Sequence, residues 1–89
     1  MESFDWDEQK NTKLKNERGI SFELALGAIL SDNLISVERN PSSKHSNQFM
    51  YIIKMNNYCY LVPFVKHGKK IFLKTIIPSR KATKKYINN

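Results

Sequence analysis

The chain is 89 residues long, 40% hydrophobic and 26% charged, which fits one small globular domain and excludes a disordered chain or a membrane span of about 18 apolar residues. A single cysteine, Cys59, excludes an intrachain disulfide and a Cys-based zinc or iron–sulfur site; the acidic opening Glu2–Glu8 lacks the apolar run of a signal peptide, so a reducing cytoplasm is the expected location. The net charge of +7 is unevenly spread: residues 39–89 carry eleven Lys and Arg and no Asp or Glu, whereas residues 1–38 hold four basic residues against eight acidic ones. That asymmetry points to a polyanionic partner, of which nucleic acid is the commonest.

Phe4 and Trp6 alternate with Asp5 and Asp7, which predicts a short extended lead-in. Asp7 is placed to cap a helix over Glu8 to Arg18, and Gly19 to end it. Leu14 is the one large apolar residue of that helix, so weak packing is expected. Ser21 caps a second helix, Phe22 to about Leu30, on which Phe22, Ala25, Leu26 and Ile29 form an i, i+3, i+4, i+7 stripe that Leu30 extends. A short strand, Leu34–Glu38, precedes a polar loop over residues 40–47. Phe49–Met55 is a strand with Phe49, Tyr51, Ile53 and Met55 on one face, and Asn56-Asn57 is a tight turn. Tyr58–Val65 is apolar on both faces and therefore central; Pro63 has no donor for a ladder, which predicts a bulge or one unpaired side. After a turn at Lys66–Lys69, Ile71–Ile77 is the last strand, and Ser79 caps a closing helix from Arg80 to about Ile87. The expected architecture is a single α+β domain over residues 1–89, an antiparallel meander with the Phe22 helix on one face.

Magnesium nucleases need clustered carboxylates, and none follows residue 38; Asp7 and Glu8 suit a helix start instead. His45 and His67 have no carboxylate near them in sequence, and no nucleophile elbow is present. No metal or cofactor is therefore expected, and Cys59, between two tyrosines, reads as a small buried hydrophobe. Metal-free RNA cleavage remains. It needs a 2′-OH activated, a phosphate's charge neutralised and a 5′-oxygen protonated. Arg80, at a strand-to-helix junction, suits a phosphate clamp, and Lys74 lies just before it. Lys81, Lys84 and Lys85 on the closing helix, with Lys69 and Lys70 in the last turn, are candidates for tracking a nucleic-acid backbone, although a basic helix face also serves to keep a domain soluble. His67, and His45 in the polar loop, are candidates for moving protons. Tyr51, Tyr58, Tyr60 and Tyr86 are of a type that stacks on bases, while at least two of the strand tyrosines suit the core.

Two boxes make the chain similar to a known family. Phe4-Asp5-Trp6-Asp7, a polar helix, and Arg18-Gly19-Ile20-Ser21-Phe22-Glu23 resemble the opening of BrnT-family toxins. Ile76-Ile77-Pro78-Ser79-Arg80-Lys81-Ala82-Thr83, with Tyr86 after it, is similar to that family's Ile-Ile-Ser-Ala-Arg-x-Ala box and terminal tyrosine. The resemblance implies a RelE-like fold, metal-independent RNA cleavage that arrests translation, and a type II toxin–antitoxin pair. It also implies a ribbon–helix–helix antitoxin, a 2:2 complex, and operator DNA bound only through that antitoxin. Arg80 falls on the family's arginine and Tyr86 on its tyrosine, whereas Arg18 stands where the family has a histidine and Lys74 matches a basic position loosely. The candidate catalytic set is thus Arg80, Lys74, Arg18, Tyr86 and His67. If the missing histidine carries the chemistry, a relative that binds RNA or antitoxin without cleaving is the alternative.

Overall fold

The computed structural model describes residues 2–39 and 48–88. His45 and the polar loop around it lie outside the described residues. Strand β1 (Ser3–Asp5) leads into helix α1 (Glu8–Arg18), which Asp7 caps by accepting from the Gln9 amide. Gly19 ends α1 in the left-handed region at φ 66°, its N–H donating to the Lys15 carbonyl. Helix α2 (Phe22–Ile29) starts at Ser21, whose hydroxyl accepts from the Leu24 amide. Phe22, Ala25 and Ile29 of its stripe are buried, with Ala28 beside them, whereas Leu26 is half-buried and Leu30, past the helix end, is exposed.

Three strands follow: β2 (Leu34–Arg39), β3 (Gln48–Met55) and β4 (Tyr58–His67). The β3–β4 ladder is continuous from Gln48 opposite Val65 to Met55 opposite Tyr58. Asn56 and Asn57 turn it with φ 54° and 63°, the positive pair that a two-residue hairpin turn requires. Gly68, at φ 61°, makes the next turn into β5 (Lys70–Leu73). Two residues, Ile77–Pro78, form β6, and helix α3 (Arg80–Tyr86) closes the chain.

The sheet order is β1-β5-β4-β3-β2, with β6 also on β4. Two details differ from a simple meander. First, β1 lies parallel to β5, with Phe4 opposite Ile71, so the sheet is mixed. The extended lead-in occupies the edge that β5 leaves open, and the Ser3 amide donates to the Lys69 carbonyl. Phe4 thereby packs on the core. Second, the expected strand Ile71–Ile77 is divided. Phe64 pairs Leu73, but Leu61 pairs Ile77, so two residues of β4 face three, Lys74 to Ile76. This is a bulge, and it sits at Pro63. The Lys74 amide donates to the Pro63 carbonyl, and proline has no N–H to complete the pair. The extra residue returns Ile76 to the core and leaves Ile77 exposed.

One face of the sheet, bearing Tyr51, Ile53, Val62, Phe64, Ile71 and Leu73, packs on α1 and α2. Trp6 stacks on Phe22 with ring centroids 5.6 Å apart. The other face is covered only in part, by α3 over Ile52 and Cys59. No helix among the described residues is long and apolar enough to cross a membrane.

Candidate nucleic-acid interface

The partly covered face is built by alternation. Ser36 pairs Ile52 and Glu38 pairs Met50, so all four share one side of the sheet, with Leu61 beyond. Helix α3 docks there through backbone chemistry. The Ser79 amide donates to the Cys59 carbonyl at 3.0 Å, and the Cys59 amide donates to Thr83 Oγ1 at 2.8 Å. Thr83 Oγ1 in turn donates to the Ser79 carbonyl at 2.8 Å, and the Ser79 hydroxyl caps the helix by accepting from the Ala82 amide. Ala82 and Thr83 are buried, which leaves Arg80, Lys81, Lys84 and Lys85 in solvent. Cys59 is fully buried, and that burial pushes its thiol pKa up, so the inert reading of this cysteine stands.

Between α3 and the sheet runs a cleft of about 270 Å3. Met50, Ile52 and Leu61 line it on the sheet side, Lys81, Lys85 and Tyr86 on the helix side, and Glu38 at its edge. The Tyr86 hydroxyl donates to Glu38 Oε2 at 3.4 Å, and the Ser36 hydroxyl donates to the same oxygen at 3.1 Å. The Lys85 ammonium lies 5.1 Å from the Tyr86 ring centroid. A floor of apolar side chains flanked by cations and a tyrosine suits an aromatic base with its phosphates.

The candidates read from sequence divide into three groups. Lys81, Lys85 and Tyr86 meet in the cleft; Arg80 follows Ser79, which lines it, and Lys84 is exposed on the same helix. Arg18 and Lys74 do not line the cleft: Arg18 lies in a groove along α1 with Lys10, Lys13 and Thr75. Arg18 Nη1 donates to the Ile76 carbonyl at 3.3 Å, which ties the end of α1 to the bulged segment that begins at Lys74. His67, Lys69 and Lys70 lie at the opposite end of β4 and its hairpin. Six residues separate His67 from Leu61, about 20 Å of strand, so the histidine is not brought to the cleft. Nearby, Lys66 is paired with Glu2 at 2.7 Å. Glu38 and Met50 are cleft residues that the sequence reading missed. Glu38 is the last acid before the acid-free half, and the alternation of β2 would have placed it with Ser36. Among the described residues no group of three His, Cys, Asp or Glu side chains is clustered to hold a metal ion.

The structure is a small basic α+β domain, a mixed sheet with helices on both faces and a cleft bearing Lys81 and Lys85 beside its last helix. The family model described as "Ribonuclease toxin, BrnT, of type II toxin-antitoxin system" matches residues 6–85. The chain belongs to the BrnT family and is a toxin of a type II toxin–antitoxin system, a class with RNA as substrate and an antitoxin as partner. No curated protein matches it.

Proposed function

We propose that this toxin is a metal-independent endoribonuclease with a RelE-like fold that cuts RNA held against α3 and so inhibits translation in the cytoplasm. The observation that supports it most is the cleft itself: Lys81, Lys85 and Tyr86 converge on an apolar floor, in the half of the chain that has no acid beyond Glu38. Arg80 stabilises the charge that builds on the phosphate in the transition state, as a bidentate guanidinium does. Lys74 and Arg18 add positive charge along the segment leading to α3, and Tyr86 moves a proton. Lys84, and Lys69 and Lys70 on the distant hairpin, hold the RNA backbone on either side. His67 serves that backbone contact better than proton transfer, because of its distance from the cleft. A ribbon–helix–helix antitoxin covers this basic face in a 2:2 complex and carries the toxin to operator DNA.

The test is cleavage of end-labelled RNA by purified toxin in excess EDTA, with and without ribosomes. Wild type cleaves, and Arg80→Ala loses activity by about 100-fold or more, the scale of removing one preorganised charge stabiliser. Equal cleavage by both would sink the Arg80 role. A second reading has one observation in its favour: Arg18, in place of the family histidine, is engaged with the Ile76 carbonyl. A toxin that binds RNA and antitoxin without cutting would bind tightly, with strong salt dependence, and show no cleavage in either format.

A further inference from the structure

We infer that the α3 cleft is a base-selective subsite that takes a guanine nucleotide, with Glu38 as the residue that reads the base. The inference rests on RNA occupying this face.

Glu38 is the acid of an otherwise cationic cleft, and it is half-buried. No ion pair among the described residues neutralises it. Among the described residues the ion pairs are Lys15–Glu23 and Lys66–Glu2, and Lys81 and Lys85 leave Glu38 unbridged although they line the same cleft. The cleft thus combines a carboxylate, two ammonium groups that do not bridge to it, and an apolar floor. A ligand that fills it offers hydrogen-bond donors at one end, an aromatic body between, and an anion at the other. A nucleotide with a donor-rich base has that pattern.

The carboxylate is acceptor-only, so it favours a base edge made of N–H groups. Ser36 and Tyr86 both bond to Oε2, and no described residue bonds to Oε1. The Tyr86 contact, at 3.4 Å, is long for an O–H donor and is readily given up. Guanine presents two adjacent donors, N1–H and N2–H2, on its Watson–Crick edge. One falls on Oε1 and the other on Oε2 in place of the tyrosine hydroxyl. Cytosine and adenine offer one amino group there beside an acceptor, and uracil one N–H between two carbonyls. A splayed single-stranded base is read on this edge while stacking on an aromatic ring, which the Tyr86 side chain supplies in this cleft. Lys81 and Lys85, one helical turn apart on the same side of α3, take the flanking phosphates.

The test uses uncleavable 2′-O-methyl octamers of uridine, unsubstituted or carrying one central guanosine, inosine, adenosine or cytidine. Affinity for the toxin is measured by fluorescence anisotropy at one salt concentration. The guanosine octamer binds about tenfold or more tightly than the all-uridine one. Inosine, which lacks the N2 amino group, falls between them. Glu38→Gln brings the guanosine-to-uridine ratio to about one, and Tyr86→Phe, which keeps the carboxylate, retains the preference. Equal affinity of wild type for all five octamers overturns the inference and leaves the RNA reading of this face intact. Persistence of the guanosine preference in Glu38→Gln also overturns it. Failure of every octamer to bind overturns both.

Discussion

At the scale of single residues, stability depends on a polar side chain in a helix that the apolar pattern made look loosely packed. Asn11 is 1% exposed. Its Oδ1 accepts from the Phe22 amide at 2.8 Å, one of the orphan donors at the start of α2, and its Nδ2 donates to Glu23 at 2.8 Å and Glu8 at 3.2 Å. Asn11→Ala leaves the buried Phe22 amide unpaired and is expected to cost about 2 kcal/mol, roughly 10 °C in Tm. A thermal melt checks it. The same side chain is the leading cause that holds the Glu23 carboxyl below its usual pKa of 4.5. A lowered folded-state pKa contributes stability that is present above the unfolded value and is lost as pH falls through the folded one. Melting wild type at a series of pH values below 4.5 should therefore show a progressive loss, smaller in Asn11→Ala. Asn11 was not legible in the sequence because a polar residue in a polar helix is ordinarily solvated. Only the approach of α2, eleven residues later, makes it an interior group. Cys59 was legible for the opposite reason: between apolar strand neighbours a small thiol has no other place to go.

At the scale of elements, α3 is fastened to β4 by Thr83, whose hydroxyl accepts from the Cys59 amide and donates to the Ser79 carbonyl. Thr83→Val keeps the shape and removes both bonds, so the Cys59 amide is buried unsatisfied at a cost of about 1–3 kcal/mol. Amide hydrogen exchange should show Cys59 deprotected in that variant, while Thr83→Ser keeps its protection; equal protection in all three would show that the helix docks without this hydroxyl. Because α3 carries Lys81, Lys85 and Tyr86, Thr83→Val is also expected to weaken RNA binding without removing any group that touches RNA. Helix caps and the Asn56-Asn57 turn were readable because each is set by two or three adjacent residues. The bulge was readable at Pro63 but not its consequence, the division into β5 and β6, since that depends on the register of a strand far along the chain. The parallel pairing of β1 with β5 was missed for the same reason: nothing local in Ser3–Asp5 indicates which edge it joins.

At the scale of the whole molecule, the charge asymmetry becomes two separate basic regions, α3 with its cleft and the β4–β5 hairpin, about 20 Å apart along β4. The sequence reveals the polyanion partner through composition, but not that His67 and Tyr86 lie at different ends. The separation predicts a length effect. A tetranucleotide senses the cleft alone, whereas a longer RNA reaches Lys69 and Lys70 and shows a steeper dependence of log Kd on log salt. For single strands each phosphate neutralised contributes about 0.7 to that slope, so Lys81→Gln with Lys85→Gln lowers it by roughly 1.4. Binding titrations between low and moderate salt measure both.

RNA lying against α3 and the sheet face beneath it is what the function turns on. The most direct test is a 15N amide chemical-shift map of the toxin with an uncleavable single-stranded RNA. Shifts are expected to concentrate at Glu38, Met50, Leu61, Ser79, Lys81, Lys85 and Tyr86, with little change on α1 and α2 away from Arg18. Shifts concentrated on α2 and the opposite face of the sheet would contradict it.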